Sequence, residues 1–214
     1  MIEILRQQAE GLKPKVFVSQ GLQPINPFWA DLPHSDIFQC FTPDIYHQLH
    51  KGLFKDHFVS WCKAAIDRGS DEVDHHVKSM TKHPTLCHFK TGILILTQWT
   101  GNEYKNMEKT FLGVIAGTVN KWVVQALCTM VDFITYACFE VHTETSLEKM
   151  DRAWSAIHEH KSIFMDLGIC KSFNIPKFHS LMHYVSAIHS HGTLNGYNTE
   201  SPEHLHINFA KAPF

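Results

Sequence analysis

The stretch TPDIYHQLHKGLFKDHFVSWCKAA, Thr42–Ala65, carries the strongest structural signal in this chain of 214 residues. Its apolar residues recur at steps of three and four, which predicts a helix over about residues 45–66. These residues are Tyr46, Leu49, Leu53, Phe54, Phe58, Trp61, Cys62 and Ala65. Thr42 and Pro43 precede this pattern, and Asp44 stands where the helix is expected to begin.

The region before this helix has a different pattern. Pro24, Pro27, Pro33 and Pro43 exclude a long helix there, and DIFQCF, Asp36–Phe41, predicts a short strand. After it, periodicity predicts further helices over about 71–80, 101–117, 119–141, 145–167, 177–190 and 201–211. We expect Thr145 or Ser146 to cap the fourth of these helices and Ser201 to cap the last. The predicted fold class is mainly α with a small β part.

Composition excludes several classes of protein. A hydrophobic fraction of 44% supports a globular core, while 19 Lys and Arg against 21 Asp and Glu lack the basic excess of a typical nucleic-acid binder. The longest apolar stretch, Phe111–Phe139, contains Asn120, Lys121, Gln125 and Asp132, so it predicts a core helix and no membrane span. The six cysteines form no CxxC pair, which predicts reduced thiols in an intracellular protein.

Two similar motifs lie far apart in the chain. Asp44 is followed by His47 after the predicted strand, and Glu203 is followed by His206 in SPEHLH near the end. Carboxylates suit a hard cation such as Mg²⁺, and metal-dependent nucleic-acid chemistry gathers carboxylates from distant chain segments. The alternative is that both acids only stabilise the first turn of a helix. Glu200 is a rival to Glu203.

Four strings resemble the Plavaka-type transposases of mushroom-forming fungi (basidiomycetes), a branch of the CACTA (EnSpm) group of DNA transposons. They are NPFWADLPHSDIFQCFTPDIYHQLHKGLFKDHFVSWC, QWTGNEYKNMEKTFLGVIAG, FNIPKFHSLMHY and GYNTESPEHLHINFAK. They occur in order along nearly the whole chain. The resemblance implies a ribonuclease-H-like core interrupted by a long all-helical insertion, with two aspartates and a glutamate that bind Mg²⁺ or Mn²⁺.

The resemblance also implies site residues and partners. Asp44, in the DxxH motif, corresponds to the second aspartate, and Glu203 is assigned as the glutamate, with Glu200 as the alternative. His47 and His206 are expected beside the acids, facing phosphate or supporting the ligands. The implied partner is DNA at transposon ends, and a functional transposase acts in the nucleus.

The resemblance divides the chain into a partial core over 1–66, a helical insertion over 67–175 and a return to the core over 176–214. The first aspartate has no counterpart, because Asp31 and Asp36 are too close to Asp44 to occupy a separate core strand. We therefore expect a fragment truncated at both ends, without its upstream strands and DNA-binding module, and inactive by itself.

The tryptophans offer a weaker signal. Trp99, with basic residues nearby, is a candidate for stacking on an unpaired base, or else it packs beneath a helix start. Trp61, Trp122 and Trp154 lie on apolar faces and are expected in the core.

Two further functions remain open from sequence. One is a non-enzymatic helical scaffold that binds a partner, with the carboxylates as helix caps. The other is a metal-binding protein that uses some of its 17 histidines, although the sequence contains no Cys/His spacing typical of structural zinc.

Overall fold

The computed structural model describes residues 41–66, 70–87, 89, 92–93 and 101–211, and upstream of these residues 6–7, 10–12, 15, 19, 21, 29, 32 and 37–40. The chain forms two compact units, Met1–Phe41 and Thr42–Phe214. The helices that carry both motifs belong to the second unit.

The strand predicted over Asp36–Phe41 is wrong. Ile37–Cys40 form a 3₁₀ turn, and no strand occurs among the residues that the structure describes. A strand satisfies its backbone N–H and C=O groups only through a neighbouring strand, whereas a 3₁₀ turn closes its own hydrogen bonds. The mainly α prediction is confirmed, and the small β part has no counterpart in the described residues.

The described part of the second unit is helical. The helices are α1 (Ile45–Val59, wound with π-helical turns), α2 (Ser60–Ala64), α3 (Ser70–Ser79), α4 (Gly101–Ile115), α5 (Lys121–Ala137), α6 (Glu144–His160), α7 (Ile163–Asp166), α8 (Pro176–Leu181), α9 (Tyr184–His191) and α10 (Glu200–His206). A 3₁₀ turn, Leu194–Gly196, precedes α10, and π-helical turns, Ile207–Lys211, follow it.

The predicted helices are confirmed in position, but those predicted over 145–167 and 177–190 are each divided in two, as α6 and α7 and as α8 and α9, and two caps are not where the sequence suggested. Thr143 caps α6: its side chain accepts from the backbone N–H of Ser146, and the Ser146 hydroxyl accepts from the backbone N–H of Thr143. The helix therefore begins before Thr145. Likewise α10 begins at Glu200 with Thr199 at the N-cap position, so the expected cap at Ser201 is wrong.

The first helix, α1, lies in the middle of the core. It contacts α4, α5 and α8, and α5 packs along α6. Its buried residues are Ile45, Leu49, His50, Gly52, Leu53, Phe54, Phe58 and Val59. Since α1 begins directly after Asp44, the packing of this helix fixes the position of the DxxH motif.

Gly52 permits the close approach of α8 to α1. A Cβ atom at this position would lie 2.5 Å from the backbone oxygen of His47 and would overlap the side chain of Lys177. Lys177 in turn reaches Asp56 on α1, with 3.8 Å between Nζ and Oδ2. A glycine therefore fits this point of contact better than any residue with a side chain.

Residues from each of the three predicted segments meet in the core of the second unit. Phe58 on α1 packs against Phe164 on α7 and Phe178 on α8, with ring centroids 5.7 and 6.3 Å apart. These residues come from the predicted ranges 1–66, 67–175 and 176–214. The assignment of those ranges to a core and an insertion stays a prediction.

Two of the three expected core tryptophans are in or against the core. Trp61 is buried and Trp154 packs against the core, whereas Trp122 is 53% exposed, so its assignment was wrong. Trp122 lies in the first turn of α5, where Lys121 Nζ lies 5.0 Å from the ring centroid. Its neighbour Val123 is fully buried, so this turn of the helix faces the core with Val123 rather than with Trp122.

The described helices include none with the length and apolar character needed to cross a bilayer.

Candidate functional site

Asp44 occupies the N-cap of α1. Its side chain accepts hydrogen bonds from the backbone N–H groups of Tyr46 and His47, at 3.2 and 3.3 Å. Both groups belong to the first turn, where backbone donors have no partner within the helix. The carboxylate therefore stabilises the start of α1.

The same carboxylate also holds the start of α10. Thr199 donates to Asp44 twice, from its backbone N–H to Oδ1 at 3.3 Å and from its hydroxyl to Oδ2 at 2.8 Å. Thr199 is the N-cap residue of α10, and 155 positions separate it from Asp44. One side chain thus ties together the starts of the two helices that carry the DxxH and ExxH motifs.

His47 lies between the two acids that the sequence selected. Its Nδ1 is 2.5 Å from Oδ2 of Asp44, and its Nε2 is 3.1 Å from Oε1 of Glu203. Nδ1 also lies 3.0 Å from the hydroxyl of Thr199. The ring can donate to both carboxylates at once only when both nitrogens carry a proton.

Glu200 points to a different neighbour. Its Oε2 lies 2.7 Å from Nζ of Lys105, which reaches across from α4. Both side chains are half exposed, so this ion pair contributes little to stability. The two glutamates of α10 are therefore distinguished by their contacts: Glu203 meets His47, and Glu200 meets Lys105.

The electrostatics of the cluster favour an ionised Asp44. Burial raises the pKa of Asp44, but the hydrogen bonds from Thr199 and His47 outweigh burial, so the pKa lies below its ordinary value of 3.8. Tyr46 shows the opposite shift: burial raises the pKa of its hydroxyl, and Glu203 and Glu200 raise it further, against Lys105. The cluster is thus a locally acidic surface with one lysine at its edge.

The carboxylates of the cluster are suitable ligands for a cation, but their present positions leave no room for one between them. Carboxylate oxygens are the ligands that Mg²⁺ prefers. However, both oxygens of Asp44 already accept hydrogen bonds from Tyr46, His47 and Thr199, and the ring of His47 stands between Asp44 and Glu203. The described residues contain no group of three or more His, Cys, Asp or Glu arranged to hold a metal ion.

The remaining candidates lie apart from Asp44 or outside the described residues. His206 is exposed and lines an open hollow of about 490 Å³ together with Thr199, Pro202, Glu203 and Ile207. It adjoins Glu203, on the same helix, rather than Asp44. Trp99, like Asp31 and Asp36, lies outside the residues that the structure describes.

Sequence reasoning missed two members of the cluster. Thr199 precedes Glu200 directly, and the recognised preference for threonine before a helix was a usable signal, but the cap was assigned to Ser201. Lys105 carried no signal, because a lysine on an amphipathic helix is ordinarily solvated and its contact with Glu200 spans 95 positions.

Residues 1–62 of the chain match the family model for Plavaka transposase. This stretch, less than half of the chain, is similar to Plavaka transposase. It contains Asp44 and His47 but not α10, so Thr199 and Glu203 lie outside the matched residues. No curated protein and no solved structure matches the chain. The match suggests that this protein derives from a transposase.

Replacing Asp44 with alanine is expected to lower the free energy of unfolding by about 2 kcal/mol, the upper part of the range for loss of an N-cap. The cost is high for a cap because the backbone N–H of Thr199 loses its acceptor together with those of Tyr46 and His47. Since the pKa of Asp44 is lowered in the folded chain, its contribution is present above pH 3.8 and is lost as the pH falls through the folded value. Urea unfolding measures both effects.

Asp151→Ala is a matched control, because Asp151 is an exposed aspartate within α6. Its expected change is within about 0.5 kcal/mol. Equal effects of Asp44→Ala and Asp151→Ala would contradict the role of Asp44 as a link between α1 and α10.

Proposed function

We propose that this transposase-derived protein uses Asp44 and Glu203 as two of the acids of a site for metal-dependent DNA strand cleavage and transfer. The observation that supports the proposal is the single imidazole, His47, that contacts both carboxylates. Acids from distant parts of a chain must meet in such a site, because the attacking and leaving oxygens are both stabilised by bound cations.

The wider proposal follows the resemblance. It places the chain in the CACTA (EnSpm) group of mushroom-forming fungi, with a ribonuclease-H-like core, DNA at transposon ends as the partner and the nucleus as the place of action. Mg²⁺ or Mn²⁺ would be held by Asp44 and Glu203 and would supply charge stabilisation to the phosphoryl group. His47 would have to leave its position between the acids, since it occupies the shared space.

We further propose that these 214 residues are inactive alone. Two carboxylates are usually too few for a pair of cations about 3.5–4 Å apart. The purified chain is therefore expected to leave supercoiled plasmid DNA intact in Mg²⁺ or Mn²⁺. Nicking that disappears in Asp44→Asn would overturn the inactivity and leave the site assignment standing.

The site assignment itself is tested by Mn²⁺ binding to the full chain in titration calorimetry. Glu203→Gln is expected to weaken binding about tenfold or more. Glu200→Gln is the matched control, because Glu200 is a glutamate of the same helix that contacts Lys105 and not His47. Equal weakening by both variants, or no binding by the parent chain, would contradict the assignment.

A non-enzymatic helical binding domain is the second candidate function. It is favoured by the backbone N–H groups that Asp44 accepts from, which belong to the starts of α1 and α10. On this alternative Asp44→Ala and Glu203→Ala change stability alone, and the chain shows no Mn²⁺ binding that depends on either acid. A His-rich metal-binding protein would instead retain stoichiometric zinc through dialysis.

A further inference from the structure

A second cluster of ionisable side chains lies inside the second unit. His50 on α1 is 2% exposed, and Glu108 on α4 is also buried. Nδ1 of His50 lies 2.6 Å from Oε1 of Glu108, and Nε2 lies 3.9 Å from Sγ of Cys138, the residue that follows α5. A carboxylate, an imidazole and a thiol are thus arranged in series.

The order of these contacts fixes the direction of the hydrogen bonds. An ionised Glu108 can only accept, so Nδ1 of His50 carries a proton and donates to it. Burial lowers the pKa of His50, but the contacts with Cys138 and Glu108 outweigh burial and raise the pKa to about 10. At neutral pH the second nitrogen therefore also carries a proton and faces the sulfur of Cys138.

A protonated imidazole beside a sulfur stabilises the thiolate, which is the nucleophilic form of cysteine. Two other groups lie near Cys138, a buried tyrosine and an asparagine. Burial raises the pKa of Tyr184 on α9, so its hydroxyl stays neutral, and Asn195 donates to the backbone oxygen of Cys138 at 3.2 Å. Neither group places a negative charge beside the sulfur at neutral pH.

The surroundings of three other cysteines disfavour the thiolate. Burial raises the pKa of Cys62, Cys128 and Cys170, and Asp132 raises that of Cys128 further. Cys62 is fully buried, whereas Cys138 is half-buried and can meet a small reagent. Cys138 therefore combines partial access with a cationic neighbour that is itself anchored by Glu108.

We propose that Cys138 is a modification site, at which the imidazole of His50, oriented by Glu108, activates the sulfur toward small electrophiles and peroxides. In the reaction with a hydroperoxide, the sulfur attacks one peroxide oxygen, an S–O bond forms and the O–O bond breaks. The sulfur is oxidised by two electrons to a sulfenic acid. The leaving oxygen is reduced and takes the proton from Nε2 of His50, which becomes neutral; with hydrogen peroxide the second product is water.

This inference does not depend on the transposase assignment. It rests on side chains of α1 and α4 and on the residue after α5, and it requires neither metal nor DNA. Oxidation would change the contact of the sulfur with His50, so the packing around α1 would depend on the oxidation state of Cys138.

The test is the rate of alkylation of each cysteine in the native full chain, followed by mass spectrometry with iodoacetamide between pH 5.5 and 9, a range around the ordinary thiol pKa of about 8.5. We expect Cys138 to react about tenfold faster than Cys170 at pH 6.5, and by a smaller factor at pH 9. Dilute hydrogen peroxide followed by dimedone should label Cys138 first. A rate for Cys138 equal to or below that of Cys170 at pH 6.5 would overturn the proposal.

The variant Glu108→Gln tests whether Cys138 reacts fast because His50 and Glu108 activate its sulfur or only because the sulfur is accessible. Glutamine keeps the volume and can still accept from Nδ1 of His50, but it removes the negative charge. In a variant whose circular dichroism is unchanged, the rate at Cys138 should fall about tenfold at pH 6.5 while that at Cys170 stays the same. An unchanged rate at Cys138 in the folded variant would overturn the proposal, and should the variant not fold, the pH profile of the native chain decides.

Discussion

Replacing Glu108 with alanine is expected to lower the free energy of unfolding by about 3–5 kcal/mol, the range for a buried ion pair that loses one partner. Glu108 and His50 are both almost fully buried, and their closest atoms are 2.6 Å apart. Without the carboxylate, the imidazole must either stay charged in an apolar core or give up its proton. Urea unfolding at pH 7 measures the loss.

The stability lost in Glu108→Ala should depend on pH, whereas the stability lost by creating an apolar cavity should not. The pKa of His50 is raised from 6.5 to about 10 in the folded chain, so its contribution to stability is complete below pH 6.5. It is lost as the pH rises from 6.5 through about 10, because the folded protein then no longer binds the extra proton. The difference between the parent chain and Glu108→Ala should therefore shrink between pH 7 and pH 10.

Glu148→Ala serves as the control on α6. Glu148 pairs with Arg152 at 3.5 Å, but both side chains are largely exposed, so the expected change is within about 0.5 kcal/mol. A loss for Glu108→Ala that is equally small, or one that does not change with pH, would contradict a charged pair in the core.

The helices were predictable from sequence because their signal is local. Steps of three and four between apolar residues are a property of neighbouring positions, and Gly192 after α9 and Pro176 at the start of α8 mark boundaries within a single turn. The strand over Asp36–Phe41 failed for the opposite reason. A short apolar run fits a strand only when a partner strand exists, and that partner is not visible in the run itself.

The candidate site was predictable only in part. The acids and His47 stood out as paired motifs, but the contact of His47 with Glu203 joins α1 to α10 and no local pattern specifies it. The His50–Glu108 pair was not predicted, although the sequence contains a signal for it. Each is a polar residue within an apolar stripe, and a polar group at such a position needs a partner once it is buried.

Replacing Phe58 with alanine is expected to lower the free energy of unfolding by about 3–5 kcal/mol, as much as Glu108→Ala. Phe58 is fully buried near the end of α1, and its ring centroid lies 5.5 Å from that of Trp61 and 5.7 Å from that of Phe164. Truncation leaves a cavity among large rings, and Trp61, stacked on Phe178 at 6.4 Å, cannot move freely to fill it. Thermal or urea unfolding followed by tryptophan fluorescence measures the loss.

The control for Phe58 is Phe209→Ala, since Phe209 is 73% exposed in the π-helical turns after α10. Its expected change is within about 0.5 kcal/mol. Because a cavity carries no charge, the loss in Phe58→Ala should be the same at pH 7 and pH 10, in contrast to that in Glu108→Ala. Similar losses in the two phenylalanine variants would mean that the aromatic cluster around Phe58 does not hold α1, and the placement of Asp44 and His47 would then need another cause.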